Sequence, residues 1–123
     1  MLVVIGSGPG IGSAVATLFA QRGFQKVVLI SRNADRLGQD CHLVEEAARK
    51  AEKSVSVGTF AVDITDTNAY KLVLSKVSKF GNLECVFFNA ARVIPSPLLE
   101  HTVEELEYDF KVIIDKVTIF HVC

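Results

Sequence analysis

The stretch Leu2-Val3-Val4-Ile5-Gly6-Ser7-Gly8-Pro9-Gly10-Ile11-Gly12 decides the fold. Its first four residues form a continuous apolar run, rich in β-branched side chains and ended by glycine. That pattern suits a short strand buried on both faces of a parallel sheet. Beyond the glycines, Ile11, Val15, Leu18 and Phe19 recur at helical spacing, and Gly23 closes the segment. Strand, glycine loop and helix in that order bring free backbone N–H groups and the positive end of a helix dipole to one point, where an anion is stabilised. The spacing is not GxGxxG, because Ile11 stands three residues beyond Gly8; Gly6, Gly10 and Gly12 fit GxxxGxG instead. The physical demands are similar: one glycine for the tight turn off the strand, one for close approach of backbone to phosphate, one for packing of helix against strand. Pro9 lacks an N–H, stiffens the loop and biases Gly8 away from helix. The plain alternative is an ordinary strand-to-helix turn. The flanking strand and amphipathic helix favour a phosphate-binding loop.

Further along, Lys26 to Ile30 is a second buried-strand run. Asn33 is placed to cap a polar helix from Ala34 to about Lys53, with Leu37, Cys41, Val44 and Ala48 on its inner face. Val55 to Val62 gives a third strand. Asp66 or Thr67 starts a helix with Leu72, Val73, Val77 and Phe80 inward and Gly81 as its stop, and Glu84 to Phe88 gives a fourth strand. Pro95 and Pro97 mark a loop. Thr102 with Glu105 reads as a capping box before a last helix striped by Val103, Leu106, Phe110, Ile113, Ile114 and Val117, although the β-branched content from Val112 to Cys123 leaves a strand open there. Alternating strands and helices call for an α/β fold: a Rossmann-type, doubly wound parallel sheet of about four strands with flanking helices.

The chain has 123 residues, half of them hydrophobic, and a formal charge of -1, which is one domain's worth of core-forming material. Scattered charges leave no basic stripe for nucleic acid and no polybasic patch for lipid, and no apolar run is long enough to span a bilayer. Cys41, Cys85 and Cys123 lie far apart, without a CxxC or a histidine at ligand spacing, so neither a metal site nor a disulfide framework is expected. A cytoplasmic setting follows as the expectation. His42, His101 and His121 have no partner carboxylate pattern, and Ser75 and Ser96 have no base at a suggestive spacing.

A dinucleotide site that prefers NAD places a carboxylate about 20 residues past the glycines, for the ribose hydroxyl. This chain has Ser31 and Arg32 there. A guanidinium is suited to a 2′-phosphate, with Ser31 as a further donor, so NADP(H) is expected ahead of NAD. The missing acid also weakens an S-adenosylmethionine reading, and no Gly-Lys-Ser/Thr follows the glycines, which excludes a P-loop.

Together these residues resemble the short-chain dehydrogenase/reductase family. Its TGxxxGxG loop is matched from Ile5 to Gly12, with Ile5 in place of the usual Thr. Arg32 resembles the NADP-preferring branch; Asp63-Ile64 resembles the pair that contacts the adenine ring. Asn89-Ala90-Ala91 resembles the NNAG motif, with Phe88 and Ala91 replacing its first Asn and its Gly. The segments 90–93 and 107–111 look like an atypical branch common in filamentous fungi. The resemblance implies a cofactor site made of Gly6, Ser7, Gly8, Gly10, Ile11, Gly12, Ser31, Arg32, Asn33, Asp63, Ile64, Asn89, Ala90 and Ala91. It also implies hydride exchange between a nicotinamide and a carbonyl/alcohol pair.

The family's Ser and Tyr-x-x-x-Lys lie past a fifth strand. Here Tyr70 is followed four residues on by Leu74, and Tyr108 by Val112; the family's further catalytic Asn aligns with Asp115. Residues 1–123 are therefore expected to form the cofactor-binding half alone, as a truncation, splice product or fragment, inactive by itself. The alternative is a non-catalytic nucleotide-binding or interaction module that self-associates through an exposed sheet edge or its last helix.

Overall fold

The computed structural model describes residues 1–91 and 100–116, apart from the side chains of Ile114 and Asp115. Four strands and four helices alternate: β1 (Leu2–Ile5), α1 (Ile11–Gln21), β2 (Lys26–Ser31), α2 (Ala34–Lys50), β3 (Ser56–Ala61), α3 (Thr67–Phe80), β4 (Cys85–Phe88) and α4 (Val103–Phe110), the last continuing into a π-helical turn, Lys111–Asp115. The strands form one parallel sheet in the order β3-β2-β1-β4. The chain therefore winds outward through β2 and β3, then crosses back to lay β4 on the other side of β1. This is the doubly wound α/β fold.

The continuous apolar runs are explained by burial on both faces. In β1, Leu2 and Val4 pack with Val27 and Leu29 against Ala16 and Ala20 of α1 and Leu37, Val44 and Ala48 of α2. Val3 and Ile5 point the other way, with Val28 and Ile30, onto Tyr70, Leu74 and Val77 of α3. Fully burying one such aliphatic side chain contributes about 1.5–3 kcal/mol, so the two central strands carry much of the stability.

Local signals place the ends. The α1 helix closes in a Schellman motif: Gly23 adopts φ +97°, its N–H donates to the Ala20 carbonyl, and the Phe24 N–H donates to the Phe19 carbonyl. The Phe19 and Phe24 rings meet edge to face at 4.9 Å, which is the apolar contact that accompanies this motif. Asn33 caps α2 by accepting from Arg36 N, Asp66 caps α3, and Thr102 and Glu105 form the expected capping box at α4. The second helix ends at Lys50, shorter than the expected end near Lys53, because Glu52 turns to φ +55°.

Three helical faces differ from the sequence expectation. In α1 the buried residues are Gly12, Ala16 and Ala20, Gly12 against the glycine loop and the two alanines in the core with β1, β2 and α2; Val15 and Phe19 of the expected stripe pack half-buried on that core, while Ile11 and Leu18 face outward. In α3, Tyr70, Leu74 and Val77 are buried and Leu72 is exposed. In α4 the stripe is turned out: Val103, Leu106, Phe110 and Ile113 are exposed, and Val112 packs on the core with Tyr108 half-buried beside it. The segment from Val112 to Lys116 is helical, so the alternative of a strand does not hold there. The loop marked by Pro95 and Pro97, together with Arg92, Val93, Ser96, Val117, His121 and Cys123, lies outside the described residues.

Candidate dinucleotide-binding cleft

The strand order reverses between β1 and β4, and in such folds a crevice opens there beyond the carboxyl ends of the strands. Here a cavity of about 840 Å³ occupies that position. It is floored by Gly6, Ser7 and Gly8 from the β1 exit, walled by Ser31 and Arg32 from the β2 exit and Asp63 and Ile64 after β3, and closed by Asn89, Ala90 and Ala91 after β4. Of the residues named from sequence, Gly10, Ile11, Gly12 and Asn33 do not line it.

The glycine loop is shaped by close backbone approach. Gly6 has φ +90°, and a Cβ there would lie 2.5 Å from Ala90 N, so only glycine lets the β4 exit pass. At Gly12 a Cβ would lie 2.7 Å from the Gly6 carbonyl oxygen, which fixes how near α1 can sit to the loop. Beyond Gly8 and Gly10, in contrast, no atom lies within 4 Å of a built Cβ. The N-terminus of α1 has no side-chain cap and no acidic residue in its first turn. An uncapped, positively polarised helix end facing open space fits the pyrophosphate of a dinucleotide.

Two clamps hold the loop. Asn89 continues the β1–β4 ladder by donating its N–H to the Ile5 carbonyl at 2.7 Å, and its Nδ2 donates to the Gly6 carbonyl at 3.1 Å. From the other side, the Ser7 hydroxyl donates to Asp40 Oδ2 at 2.7 Å, and Asp40 Oδ1 forms an ion pair with Arg36 Nη2 at 3.0 Å. Asp40 is fully buried on α2. Sequence reasoning passed over it, although a carboxylate three residues past Leu37 and four before Val44 must share their inward face.

At the adenosine end, Arg32 is exposed along the cavity wall. The side chain of Asn33 is committed to the α2 cap, and the Ser31 hydroxyl accepts from the Asn33 N–H at 3.5 Å. Asp63 Oδ1 accepts from the Thr65 amide at 2.9 Å and the Thr65 hydroxyl at 2.8 Å, so it does cap a turn while lining the cleft. Partial burial acts to raise its pKa. The Thr65 bonds, with the positive charges of Arg32 and Lys116, outweigh this and hold the carboxyl below its ordinary range. Lys116, buried at the end of the π-helical turn, donates from Nζ to Thr67 Oγ1 at 2.8 Å and so ties α4 to the start of α3.

Glu104, Glu105, Tyr108 and Val112 of the last helical segment also line the cavity and were not expected to. Glu104 and Glu105 stand in the first turn of α4, and Val112, further along the same helical segment, packs onto the core. Among the described residues no group of His, Cys, Asp and Glu is arranged to hold a metal ion, and no helix is long and apolar enough to cross a membrane.

The cleft and its sheet have close counterparts. The family model for short chain dehydrogenases matches residues 1–120. An uncharacterized oxidoreductase of Thermotoga maritima is 32% identical over 106 residues, covering 85% of this chain and 39% of its own length. L-Sorbose reductase of Gluconobacter frateurii, solved with NADPH and L-sorbose, superposes with a TM-score of 0.82 at 25% identity, covering 98% of this chain and 44% of that one. An NADH-dependent reductase solved with NAD superposes at 0.76 and 24% identity, covering 98% and 48%. The chain thus spans less than half the length of each of these relatives. On the extent of the family match, and on a glycine loop set at the switch point of a doubly wound sheet, this chain belongs to the short-chain dehydrogenase family.

Proposed function

We propose that residues 1–123 are the cofactor-binding part of an oxidoreductase and take NADP(H) ahead of NAD(H). One observation carries this reading: the glycine loop, the exposed guanidinium of Arg32 and the Asn89 clamp open on a single cavity. That cavity contains the pyrophosphate cradle and, at the β2 exit, a cation where an NAD site would carry an acid. Gly6, Ser7 and Gly8 would hold the pyrophosphate, with Gly10, Ile11 and Gly12 supplying the helix terminus behind them. Ser31 and Arg32 would receive the 2′-phosphate beside the Asn33 cap. Asp63 and Ile64 would flank the adenine, and Asn89, Ala90 and Ala91 the second ribose. The bound cofactor supplies hydride exchange with a carbonyl or alcohol. The relatives solved with NADPH and with NAD support a nicotinamide dinucleotide as ligand, while the preference between them rests on Arg32.

Among the described residues no tyrosine stands with a lysine four residues on to serve that chemistry. Tyr70 is buried in the core, Tyr108 lacks a lysine four residues on, and Asp115, which aligns with the family's further catalytic Asn, ends the π-helical turn. Residues 1–123 alone would bind cofactor without turning over substrate, in a cytoplasmic setting. The test is Arg32→Asp. The substitution is expected to invert the preference, weakening NADPH by on the order of 10- to 100-fold through loss of a charge-assisted contact and gain of repulsion. Unchanged selectivity removes Arg32 from the phosphate role.

A second reading, a nucleotide-binding module that self-associates, is favoured by one observation. Val103, Leu106 and Phe110 of α4 and Ile113 of the π-helical turn lie exposed.

A further inference from the structure

Asp40 is a fully buried carboxylate on the inner face of α2, whose other inward residues are Leu37, Val44 and Ala48. Burying a charge there is costly unless partners compensate it. Its partners come from two different segments. Oδ2 accepts from Ser7, in the glycine loop 33 residues away, and Oδ1 lies 3.0 Å from Arg36 Nη2 in the first turns of α2, an ion pair without an aligned hydrogen bond, so the Ser7 hydroxyl makes the directional contact. Ser7 carries the only side-chain hydroxyl between Gly6 and Gly10, so its bond to Asp40 is the one side-chain restraint the loop itself supplies. Its backbone N–H is already spent on the Ile30 carbonyl at 3.0 Å. Arg36 is held by Asp40 and, at 3.2 Å, by Gln39. That leaves Arg32 as the guanidinium lining the cavity.

We propose that Asp40 is a positioning residue for cofactor binding, which locks the phosphate loop to α2 through Ser7, with Arg36 of the same helix supplying the countercharge. The inference rests on the nucleotide reading above. The Asn89 clamp and the bonds to the Ile30 carbonyl hold the loop at Gly6 and the Ser7 backbone, the Ser7–Asp40 bond adds a side-chain anchor from α2, and order present before binding need not be created by the ligand. The pyrophosphate is common to both dinucleotides, so the clamp acts on NADPH and NADH alike and leaves the choice between them to Arg32.

The test compares the 123-residue chain with its Ser7→Ala, Asp40→Ala, Asp40→Asn and Ser7→Ala/Asp40→Ala variants. Dissociation constants for NADPH and NADH are read by titration, and amide hydrogen exchange over residues 6–13 is read without nucleotide. Ser7→Ala and Asp40→Ala are each expected to weaken both dinucleotides by on the order of tenfold, at an unchanged ratio, and to speed loop exchange. The double variant should be no weaker than Asp40→Ala. Asp40→Asn, whose amide oxygen still accepts from Ser7, should recover part of the affinity. Losses that multiply in the double variant, or affinities within twofold of the parent with only a lower Tm, overturn the proposal. Should Asp40→Ala fail to fold, Ser7→Ala decides alone, and unchanged loop exchange there overturns it. A parent chain that binds neither dinucleotide refutes the nucleotide reading instead, and the exchange measurements still judge the clamp.

Discussion

Gly12→Ala is the substitution whose outcome the packing of the loop dictates most directly. The added Cβ would lie 2.7 Å from the Gly6 carbonyl oxygen, 3.2 Å from Ser7 Cα and 3.4 Å from Asn89 Nδ2. Ordinary contact would require α1 and the loop to part by roughly 0.7 Å, taking 3.4 Å as the onset of normal van der Waals distance. The two atoms most closely approached are backbone atoms of a loop clamped by Asn89 and Asp40, so neither swings aside as a side-chain tip would. Overpacking of this kind costs about 1–3 kcal/mol. Alanine in a helix regains about 0.5–1 kcal/mol over glycine, which from the middle of both ranges leaves a net loss of about 1 kcal/mol. For a domain of this size that is a fall in Tm of roughly 4 °C, read by far-ultraviolet circular dichroism. Gly8→Ala is the matched control, since its Cβ would meet no atom within 4 Å. It should leave Tm within about 2 °C, as surface changes do. A Gly12→Ala chain as stable as its parent would refute the claim that close approach of α1 shapes the loop.

Asp63→Asn tests the electrostatics of the adenosine wall. The folded carboxyl titrates below its unfolded value, so its stabilisation is complete above the unfolded pKa of about 3.9 and is lost as pH falls through the lower folded value. The Tm gap between parent and variant should therefore be present at pH 7 and close as pH drops below 4; a gap that widens in acid contradicts the assigned charges. Self-association through the exposed α4 stripe predicts a dimer by light scattering that Leu106→Glu converts to monomer; a monomeric parent chain removes that reading.

How much was legible follows from what each signal depends on. The strands were readable because a parallel strand covered on both faces is apolar at every position, as Leu2 to Ile5 and Val27 to Ile30 are. The caps at Asn33 and Thr102 were readable because their bonds are local. The inner face of α1 was legible in Val15 and Phe19 but not in Gly12, Ala16 and Ala20, since Ile11 and Leu18 drew the stripe away from these small residues. Small residues are correct there because Gly12 meets the loop and the two alanines pack among β1, β2 and α2. Asp40 was hidden for a similar reason, because its partner Ser7 lies 33 residues away. The outward turn of the α4 stripe depends on how the π-helical turn seats Val112, which no periodicity encodes. Gly6, Ser31 and Arg32 could be named from position after a buried strand, whereas Asp63, Ile64 and Asn89 to Ala91 were named through the family resemblance; they share one cleft because the turns leaving successive parallel strands meet at one end of the sheet.

The central claim is that these 123 residues form a cradle for a phosphorylated nicotinamide dinucleotide, and calorimetric titration of the purified chain with NADPH and then NADH measures it. Saturable one-to-one binding is predicted, with NADPH tighter by on the order of tenfold, the usual worth of one good charged contact. No binding of either dinucleotide up to millimolar concentration would contradict the account.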